Sequence, residues 1–283
     1  MHINTEVQGN QQDFASQGFA SDKSPLKLVR GSAMQTKIEV KNIKKGFVSD
    51  KGPLQVVNGV SFTVKDGEFV AIVGPSGCGK STLMNMISGF TQPDEGQITV
   101  DGVERTKPSS KGILITQYGS IFPWLTVRQN LMFGLNGHAR EKSGLADRYA
   151  EIVGLKGFEN SYPHELSGGM LKRVEIARAL VVKPDILYMD EPFSALDALM
   201  NLRMRTELLR ILEEERHTVL LITHDVEEAI HMADRIMVLS ARPTKIQATF
   251  EVDLPHPRKL TSPEVQDLRV AILSELGVDR EAH

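Results

Sequence analysis

The residues best suited to chemistry form a glycine-rich segment, Gly74-Pro75-Ser76-Gly77-Cys78-Gly79-Lys80-Ser81, followed by Thr82. Their spacing is G-x-x-x-x-G-K-[ST], between a buried-strand pattern and a helix pattern. Glycines let successive backbone N–H groups curl around an anion, and a helix N-terminus adds its positive dipole end. Lys80 can reach the β- and γ-phosphates of a nucleotide, and the Ser81 hydroxyl can bind magnesium. The segment predicts a P-loop for a magnesium nucleotide, with ATP favoured over a chance glycine-rich turn.

Two adjacent acids end an apolar strand further along the chain. Ile186–Met189 is apolar, and Asp190 and Glu191 follow it directly. Asp190 is expected to hold magnesium through water, and Glu191 can polarise an attacking water. A single acid at a strand end often only meets solvent. A pair downstream of a complete phosphate loop favours the catalytic interpretation.

A second glycine pair stands just before a predicted helix. Leu166-Ser167-Gly168-Gly169-Met170 precedes the helical pattern Leu171–Val182. Ser167 can cap this helix, and the glycines leave backbone amides open to an anion. Helix capping alone is the simpler reading of such a turn.

Alternating strands and helices must position these motifs. Predicted strands are Ile38–Ile43, Val56–Val64, Glu68–Val73, Gln97–Val100, Ile113–Thr116, Ile186–Asp190, Thr218–Thr223 and Arg235–Ser240. Predicted helices are Lys80–Gly89, Leu196–Arg216 and Val226–Ala233, and residues 126–182 are largely helical. In the helix Leu196–Arg216, an apolar face is predicted from Leu199, Leu202, Leu208, Leu209 and Leu212. This order predicts a mainly parallel α/β sheet.

Composition indicates a soluble globular chain. The 283 residues are 41% hydrophobic and 24% charged, with a formal net charge of −3, so no overall positive field points to nucleic acid. The longest apolar runs are far too short to span a membrane, and no secretory signal is evident. The one cysteine, Cys78, is interpreted as a small residue in the loop, consistent with a reducing cytosol. Residues 1–36 are polar and are predicted to be flexible, with an amphipathic arm at Pro25–Arg30 as the alternative.

Together, the motifs resemble an ATP-binding subunit of the ABC transporter family. LSGGM lies between the P-loop and ILYMDEP, and the likeness extends over about residues 37–258. The resemblance implies that the signature Ser167, Gly168 and Gly169 of one subunit closes over the ATP of a second. It further implies a magnesium and membrane-partner contact at Gln117, a D-loop ending at Asp197, a γ-phosphate contact at His224 and adenine stacking on Phe47.

The resemblance also implies an architecture and a set of partners. The expected fold is an α/β P-loop NTPase core with a mainly parallel sheet, an antiparallel β subdomain and an inserted helical subdomain at about 120–182. Residues 259–283 are predicted to be a short helical tail. The expected partners are a second ATPase subunit, homologous or identical, an integral membrane permease and, indirectly, a periplasmic or lipoprotein solute-binding protein. The implied location is peripheral, at the cytoplasmic face of the cell (inner) membrane.

Finer cues resemble the nitrate/sulfonate/taurine importer branch. They are Phe122-Pro123-Trp124-Leu125-Thr126-Val127 and the tail motifs that include Pro243 and Pro255. Trp124 has a second reading, as a core residue of the helical subdomain. Thr116, Leu171 and Lys172 depart from the family pattern, which bears on the tuning of the signature helix and on the branch assignment. The solute stays open among nitrate, sulfonates, taurine, bicarbonate and other small organic ions.

Three alternatives to an importer ATPase remain. One is a non-transport ABC ATPase, although the stretch between Thr82 and Ser167 holds no coiled-coil heptads and the chain has one cassette. Another is a binding-only regulatory subunit, against which Glu191 and His224 argue. The last is an exporter subunit, because the ATPase motifs are shared.

Overall fold

The computed structural model describes residues 35–50, 52–117, 119–135 and 143–278. The predicted extension 1–36 and its alternative arm at Pro25–Arg30 lie almost entirely outside these ranges. The described strands are β1 Thr36–Ser49, β2 Gly52–Lys65, β3 Phe69–Val73, β4 Glu95–Val100, β5 Val103–Glu104, β6 Gly112–Ile115, β7 Ile186–Asp190, β8 Thr218–Thr223, β9 Arg235–Leu239 and β10 Ile246–Glu251. The described α-helices are α1 Lys80–Ser88, α2 Val127–Met132, α3 Ser143–Ile152, α4 Gly168–Leu180, α5 Ala198–Glu214, α6 Val226–Met232 and α7 Pro263–Glu275.

The larger sheet carries the chemical motifs at the carboxyl ends of its strands. Its strand order is β10-β9-β3-β8-β7-β6, in which all neighbours are parallel except the β10–β9 pair. Every residue of β3, β7 and β8 is buried, because helices cover both faces of a parallel sheet and the strands are correspondingly apolar. The carboxyl ends of these three strands are Val73, Asp190 and Thr223. The P-loop, the acid pair and His224 therefore follow neighbouring strand ends.

The smaller sheet is antiparallel, with the order β2-β1-β4-β5. Its inward side chains, such as Ile38 and Val57, belong to the same buried cluster as Leu83 and Ile87 of α1. This sheet therefore packs on the side of the core from which the P-loop helix extends. The predicted α/β architecture, with a mainly parallel sheet and an antiparallel β subdomain, is confirmed.

Strand β10 was not predicted from the sequence. Ile246–Glu251 pairs antiparallel with β9 at the edge of the larger sheet, and its residues alternate between half-buried and exposed. An edge strand buries only one face, so its apolar signal is weak. The predicted tail helix is present as α7.

The predicted apolar face of the helix after β7 is only partly correct. On α5, Leu208 is buried, and Leu209 and Leu212 pack against the core. Leu199 and Leu202, near the start of the helix, are 76% and 49% exposed. The first turns of α5 thus present apolar side chains to the surface of the subunit.

The region between β6 and β7 is helical, as predicted. It holds α2, α3, α4 and a short 3-10 turn at Pro163–Glu165. Asn130, fully buried on α2, donates from Nδ2 to the carbonyls of Phe122, Leu125 and Thr126, and so fixes the segment before the helix. Trp124 in that segment is 67% exposed, so its interpretation as a core residue is wrong. Among the described helices, none is both long enough and apolar enough to cross a membrane.

Candidate functional site

The glycine-rich loop connects the end of β3 to the start of α1. Gly77 and Gly79 have φ angles of 70° and 117°, which glycine adopts without the steric cost of a Cβ. A Cβ at Gly79 would also lie 2.7 Å from Val56 Cγ1. The loop therefore has left-handed positions of the kind that a curled, anion-binding backbone uses. Its accessible residues are Pro75, Ser76, Gly77 and Ser81, with Gly79 and Thr82 half-buried.

Lys80 and Cys78 have different environments within this loop. Lys80 Nζ donates to the carbonyl oxygens of Gly74 at 2.8 Å and Pro75 at 3.1 Å, which holds the ammonium against the loop backbone. Cys78 is buried, and the Thr244 hydroxyl donates to its carbonyl. Burial raises the pKa of the Cys78 thiol, and the nearby Lys80 charge opposes that rise. A buried, protonated thiol is unreactive, in agreement with a packing role.

Asp190 has the environment of a carboxylate that faces a cation. The residue is buried, and burial raises the pKa of its carboxyl, while a hydrogen bond from Ser81 and the charge of Lys80 oppose that rise. Its Oδ1 atom is buried and makes no hydrogen bond with any described residue. Oxygen donors from Ser81 and Asp190 suit magnesium, which prefers carboxylate and hydroxyl oxygens together with phosphates. The residues present therefore fit the predicted ion.

Glu191 contacts two other predicted site residues. Gln117 Nε2 donates to its Oε2 at 3.2 Å, and His224 Nδ1 lies 3.3 Å from its Oε1. Its φ of 49° is in the left-handed region, which is uncommon for a residue with a side chain. The strained backbone is held by a hydrogen bond from Glu191 N to Ile222 O at 2.9 Å and by the Ser194 hydroxyl, which donates to Glu191 O. Strain of this kind concentrates at functional sites.

The signature residues lie at the start of α4. The helix begins at Gly168, earlier than predicted, and Ser167 caps it by accepting a hydrogen bond from Met170 N at 3.3 Å. A Cβ at Gly169 would lie 3.4 Å from Ala195 O, so the signature turn contacts the predicted D-loop. Asp197 ends that loop and caps α5 through Met200 N at 3.0 Å. Ser167, Gly168 and Asp197 are exposed, and each of the two caps gives its residue a structural role within the subunit.

Phe47 lies near the end of β1, opposite Leu54 of β2. Its side chain is 46% exposed, and Lys45 Nζ is 5.8 Å from the ring centroid. An exposed aromatic ring on a strand is able to stack on a flat base, and the adenine contact of Phe47 stays a prediction.

A buried ion pair on α4 holds both sides of the Gln117 loop. Lys172 Nζ donates to Glu175 Oε2 at 2.9 Å and to Thr116 O. Glu175 Oε1 accepts from the backbone N and the hydroxyl of Ser120, at 3.2 and 2.8 Å. Both charged side chains are almost fully buried. Lys172 departs from the family pattern, and here its partner explains how the charge is tolerated.

Breaking this pair from one side is expected to destabilise the fold strongly. Lys172→Met leaves Glu175 buried without its cation and should lower the free energy of unfolding by about 3–5 kcal/mol. Lys172→Met with Glu175→Leu removes both charges and should recover much of that loss. Urea unfolding measures each change. Lys156→Met, which breaks an exposed pair with Glu151, is the control and should change little. A Lys172→Met variant as stable as this control contradicts the interpretation.

Comparison with known proteins adds to this geometry. The family model described as ABC transporter matches residues 57–194. An aliphatic sulfonates import ATP-binding protein, SsuB, from Bacillus cereus is 44% identical over 216 residues, covering 76% of this chain and 86% of the relative. The chain belongs to the ABC transporter ATP-binding family. As a member of this family, it is an ATPase.

Other members of the family extend the similarity. An uncharacterized ABC transporter ATP-binding protein of Methanocaldococcus jannaschii is 41% identical over 247 residues, covering 86% of this chain and 92% of the relative. A dimeric structure of the ATP-binding cassette MJ0796, in a post-hydrolysis state bound to ADP and Pi, has a TM-score of 0.68 at 29% identity. It covers 77% of this chain and 100% of that chain. These similarities confirm the predicted ABC ATPase fold and the predicted ATPase activity.

Two positions beside the site were missed by sequence reasoning. Arg205 on α5 and Glu228 on α6 are buried and interact with the residues that flank His224. Neither residue lies in one of the motifs that carry the resemblance to ABC ATPases. The sequence feature that could have identified both residues is a charge on the buried face of an amphipathic helix. A charged residue is rarely buried there unless its charge is paired.

Proposed function

We propose that this chain is the ATP-hydrolysing subunit of an ABC importer for a small anion or organic ion of the sulfonate type. The observation that carries the ATPase site is the convergence of Gln117 and His224 on Glu191, beside the P-loop and Asp190. The importer assignment rests on the similarity to the B. cereus protein named for aliphatic sulfonate import. The Phe122–Val127 segment of this chain is a second, weaker cue for the same importer branch.

Hydrolysis in this proposal needs alignment and charge neutralisation rather than covalent chemistry. Lys80 and the loop amides bind the β- and γ-phosphates. Ser81, Asp190 and Gln117 hold magnesium, which supplies further neutralisation of phosphate charge when bound. Glu191 orients and polarises the attacking water. His224 contacts the γ-phosphate, and the Glu191 carboxylate, 3.3 Å from His224 Nδ1, keeps the imidazole ring oriented.

A second subunit completes the proposed site. Ser167 and Gly168 are exposed at the start of α4, where a helix N-terminus favours an anion. The related cassette MJ0796 forms dimers. In the proposed sandwich, these residues close over ATP bound to the P-loop of the partner, with Asp197 and the exposed Leu199 near the contact. ATP favours the closed state because only that state makes both sets of phosphate contacts.

A groove near Gln117 is the proposed contact for a membrane permease. It has a volume of about 590 Å³ and its lining includes Ser120, Phe122, Phe133, Glu175 and Arg178. The Phe122 ring packs at a tilted angle against Phe133 and Trp124, with ring centroids 4.3 Å and 5.5 Å apart, and Trp124 and Phe133 are exposed. Exposed apolar clusters of this kind mark partner surfaces. The proposed subunit therefore sits peripherally at the cytoplasmic face of the membrane, and the permease and an external binding protein select the solute.

The decisive experiment measures ATP hydrolysis by the chain purified with its permease in vesicles. Binding proteins loaded with an alkanesulfonate, taurine, nitrate or bicarbonate are added in turn. We expect one loaded binding protein to stimulate hydrolysis, and the solute that stimulates identifies the substrate class. Substrate transport outward, or stimulation by ribosomes or DNA instead, contradicts the importer proposal and favours the exporter or the non-transport alternative.

A variant of the aromatic cluster beside the groove tests the permease contact. Trp124→Ala is expected to reduce stimulation by the permease about 10-fold or more, because an aromatic anchor at an interface contributes 2 kcal/mol or more. Hydrolysis by the subunit without permease should be retained. Phe90→Ala, at an exposed aromatic residue after α1, is the matched control. Normal stimulation of the Trp124→Ala variant contradicts this docking surface.

A further inference from the structure

The position of His224 depends on its two chain neighbours rather than on its own packing. The side chain is 60% exposed, and its Nδ1 atom lies 3.3 Å from Glu191 Oε1. Thr223 ends β8 before it, and Asp225 caps α6 after it. A mobile, exposed ring can contact a phosphate reproducibly only if the turn that carries it is rigid.

Buried hydrogen bonds fix this turn from the side of α6. The Thr223 hydroxyl donates to Glu228 Oε2 at 2.8 Å and accepts from Asp225 N at 3.0 Å. Asp225 Oδ1 accepts from the backbone N of Glu227 at 2.9 Å and of Glu228 at 3.2 Å. Thr223 and Glu228 are almost fully buried, so the hydrogen bond between their side chains is shielded from water. The Asp225 side chain is 39% exposed.

A buried cation connects the same turn to α5. Arg205 Nη2 donates to Asp225 Oδ2 at 2.7 Å and lies 3.5 Å from Glu228 Oε2. The Arg205 side chain is 8% exposed. Arg205 lies on α5, the helix that Asp197 caps and that we call the D-loop helix. The D-loop helix and the turn of His224 therefore share one guanidinium.

The charges of this cluster depend on Arg205. Burial raises the pKa of Glu228 to about 7, although Arg205 and the Thr223 hydrogen bond oppose the rise. Burial by itself would raise the pKa of Asp225. The hydrogen bond from Arg205 and its charge outweigh this effect and hold the pKa of that carboxyl below its usual value. Without the guanidinium, the buried Glu228 carboxyl and the partly exposed Asp225 carboxyl lose the cation that now contacts both. Their repulsion and desolvation would disturb the turn that they now hold.

We propose that Arg205 and Glu228 are positioning residues for His224, coupling the D-loop helix to the γ-phosphate contact during ATP hydrolysis. This inference rests on the proposed role of His224. It assigns neither residue a contact with nucleotide. Arg205 acts through Asp225, and Glu228 acts through Thr223.

The test compares kcat, KM for ATP and thermal unfolding in the full chain. Arg205→Met and Glu228→Leu are expected to lower kcat about 10-fold, with KM changed less than about 2-fold, because only the geometry of a transition-state contact is lost. Glu228→Gln should retain most of kcat, since an amide oxygen can still accept from Thr223. Arg210→Met and Glu227→Gln are controls, because both residues make exposed ion pairs on the same two helices.

A double-mutant cycle separates positioning from general stability. If Arg205 acts through His224, adding Arg205→Met to His224→Ala should lower kcat no further than His224→Ala alone. A further 10-fold loss in the double variant overturns the inference, as does normal kcat in Arg205→Met or Glu228→Leu. Full activity of His224→Ala instead contradicts the proposed function of the histidine, so the two failures are distinguishable.

A variant that fails to fold does not end the test. Arg205→Lys keeps a positive charge that can reach one carboxylate at a time, and Thr223→Val removes only the hydroxyl that links the turn to Glu228. Each should fold and show the same selective loss of kcat, smaller for Arg205→Lys. Normal kcat in both variants overturns the proposal.

Discussion

Replacing Glu191 with glutamine is expected to lower the kcat of ATP hydrolysis by about 100-fold or more, because a general base contributes at least this factor. The amide cannot accept the proton of the attacking water, but it has the size of the acid and keeps one of its two acceptor oxygens. Its contacts with Gln117 Nε2 and His224 Nδ1 can therefore persist in part. ATP binding should be retained, since the P-loop is untouched. Single-turnover hydrolysis and equilibrium binding of ATP measure the two effects separately.

The backbone at Glu191 makes this variant a fair test. The residue is held in the left-handed region by Ile222 O and Ser194, and glutamine adopts that conformation at a cost similar to glutamate. Folding should therefore change little. Glu213→Gln, at an exposed position near the end of α5, is the control. Turnover of Glu191→Gln close to that of the control contradicts the catalytic assignment and leaves the acid as a structural hydrogen-bond partner.

Placing arginine at Ser167 is expected to abolish steady-state ATP hydrolysis, by about 100-fold or more, because closure of the dimer brings this position against bound phosphate. The serine is exposed, so a long side chain can be accommodated in the free subunit. In the closed dimer, however, the same side chain occupies the space where the partner's nucleotide should be. ATP binding by the monomer should remain, because the P-loop of the same chain does not include Ser167. Fluorescent-nucleotide titration and gel filtration with ATP measure binding and dimer closure.

Loss of the helix cap must be distinguished from loss of the composite site. Ser167→Ala removes only the hydroxyl that accepts from Met170 N, which should cost about 1 kcal/mol of stability. Hydrolysis by that variant should fall much less than by Ser167→Arg. Ser274→Arg, at an exposed position on α7, controls for added charge and bulk. If Ser167→Arg hydrolyses ATP as fast as Ser274→Arg, no second subunit closes over this motif.

Much of the nucleotide site was predictable because its parts are local in sequence. A P-loop needs glycine at particular turn positions and a helix directly after it, so Gly77, Gly79 and Lys80 are recognisable without a fold. The acid pair follows a fully apolar strand in the same way. The parallel order of strands then places Asp190 and Thr223 at one sheet edge with the loop. Which residues contact a nucleotide, and the boundaries at residues 37 and 258, stay predictions.

Other features depended on contacts between distant segments. Strand β10 has a weak pattern because it is an edge strand, and its pairing with β9 supplies the structure that its sequence does not announce. Trp124 was compatible with a core position, and Leu199 with a buried helix face. Both are exposed, since hydrophobicity alone does not tell which face of a segment a partner subunit or the core will cover.

The sequence by itself determined that this protein belongs with the ABC ATPases, and it predicts that Gly74–Thr82 is the phosphate loop, because backbone conformation at glycines and the order of short motifs are local properties. Only the tertiary structure decided how those motifs are held. It paired Lys172 with Glu175 around the Gln117 loop, and it joined Arg205 to the turn of His224. Burial of a charge is stable only with a partner, and that partner is chosen by packing between helices far apart in the chain.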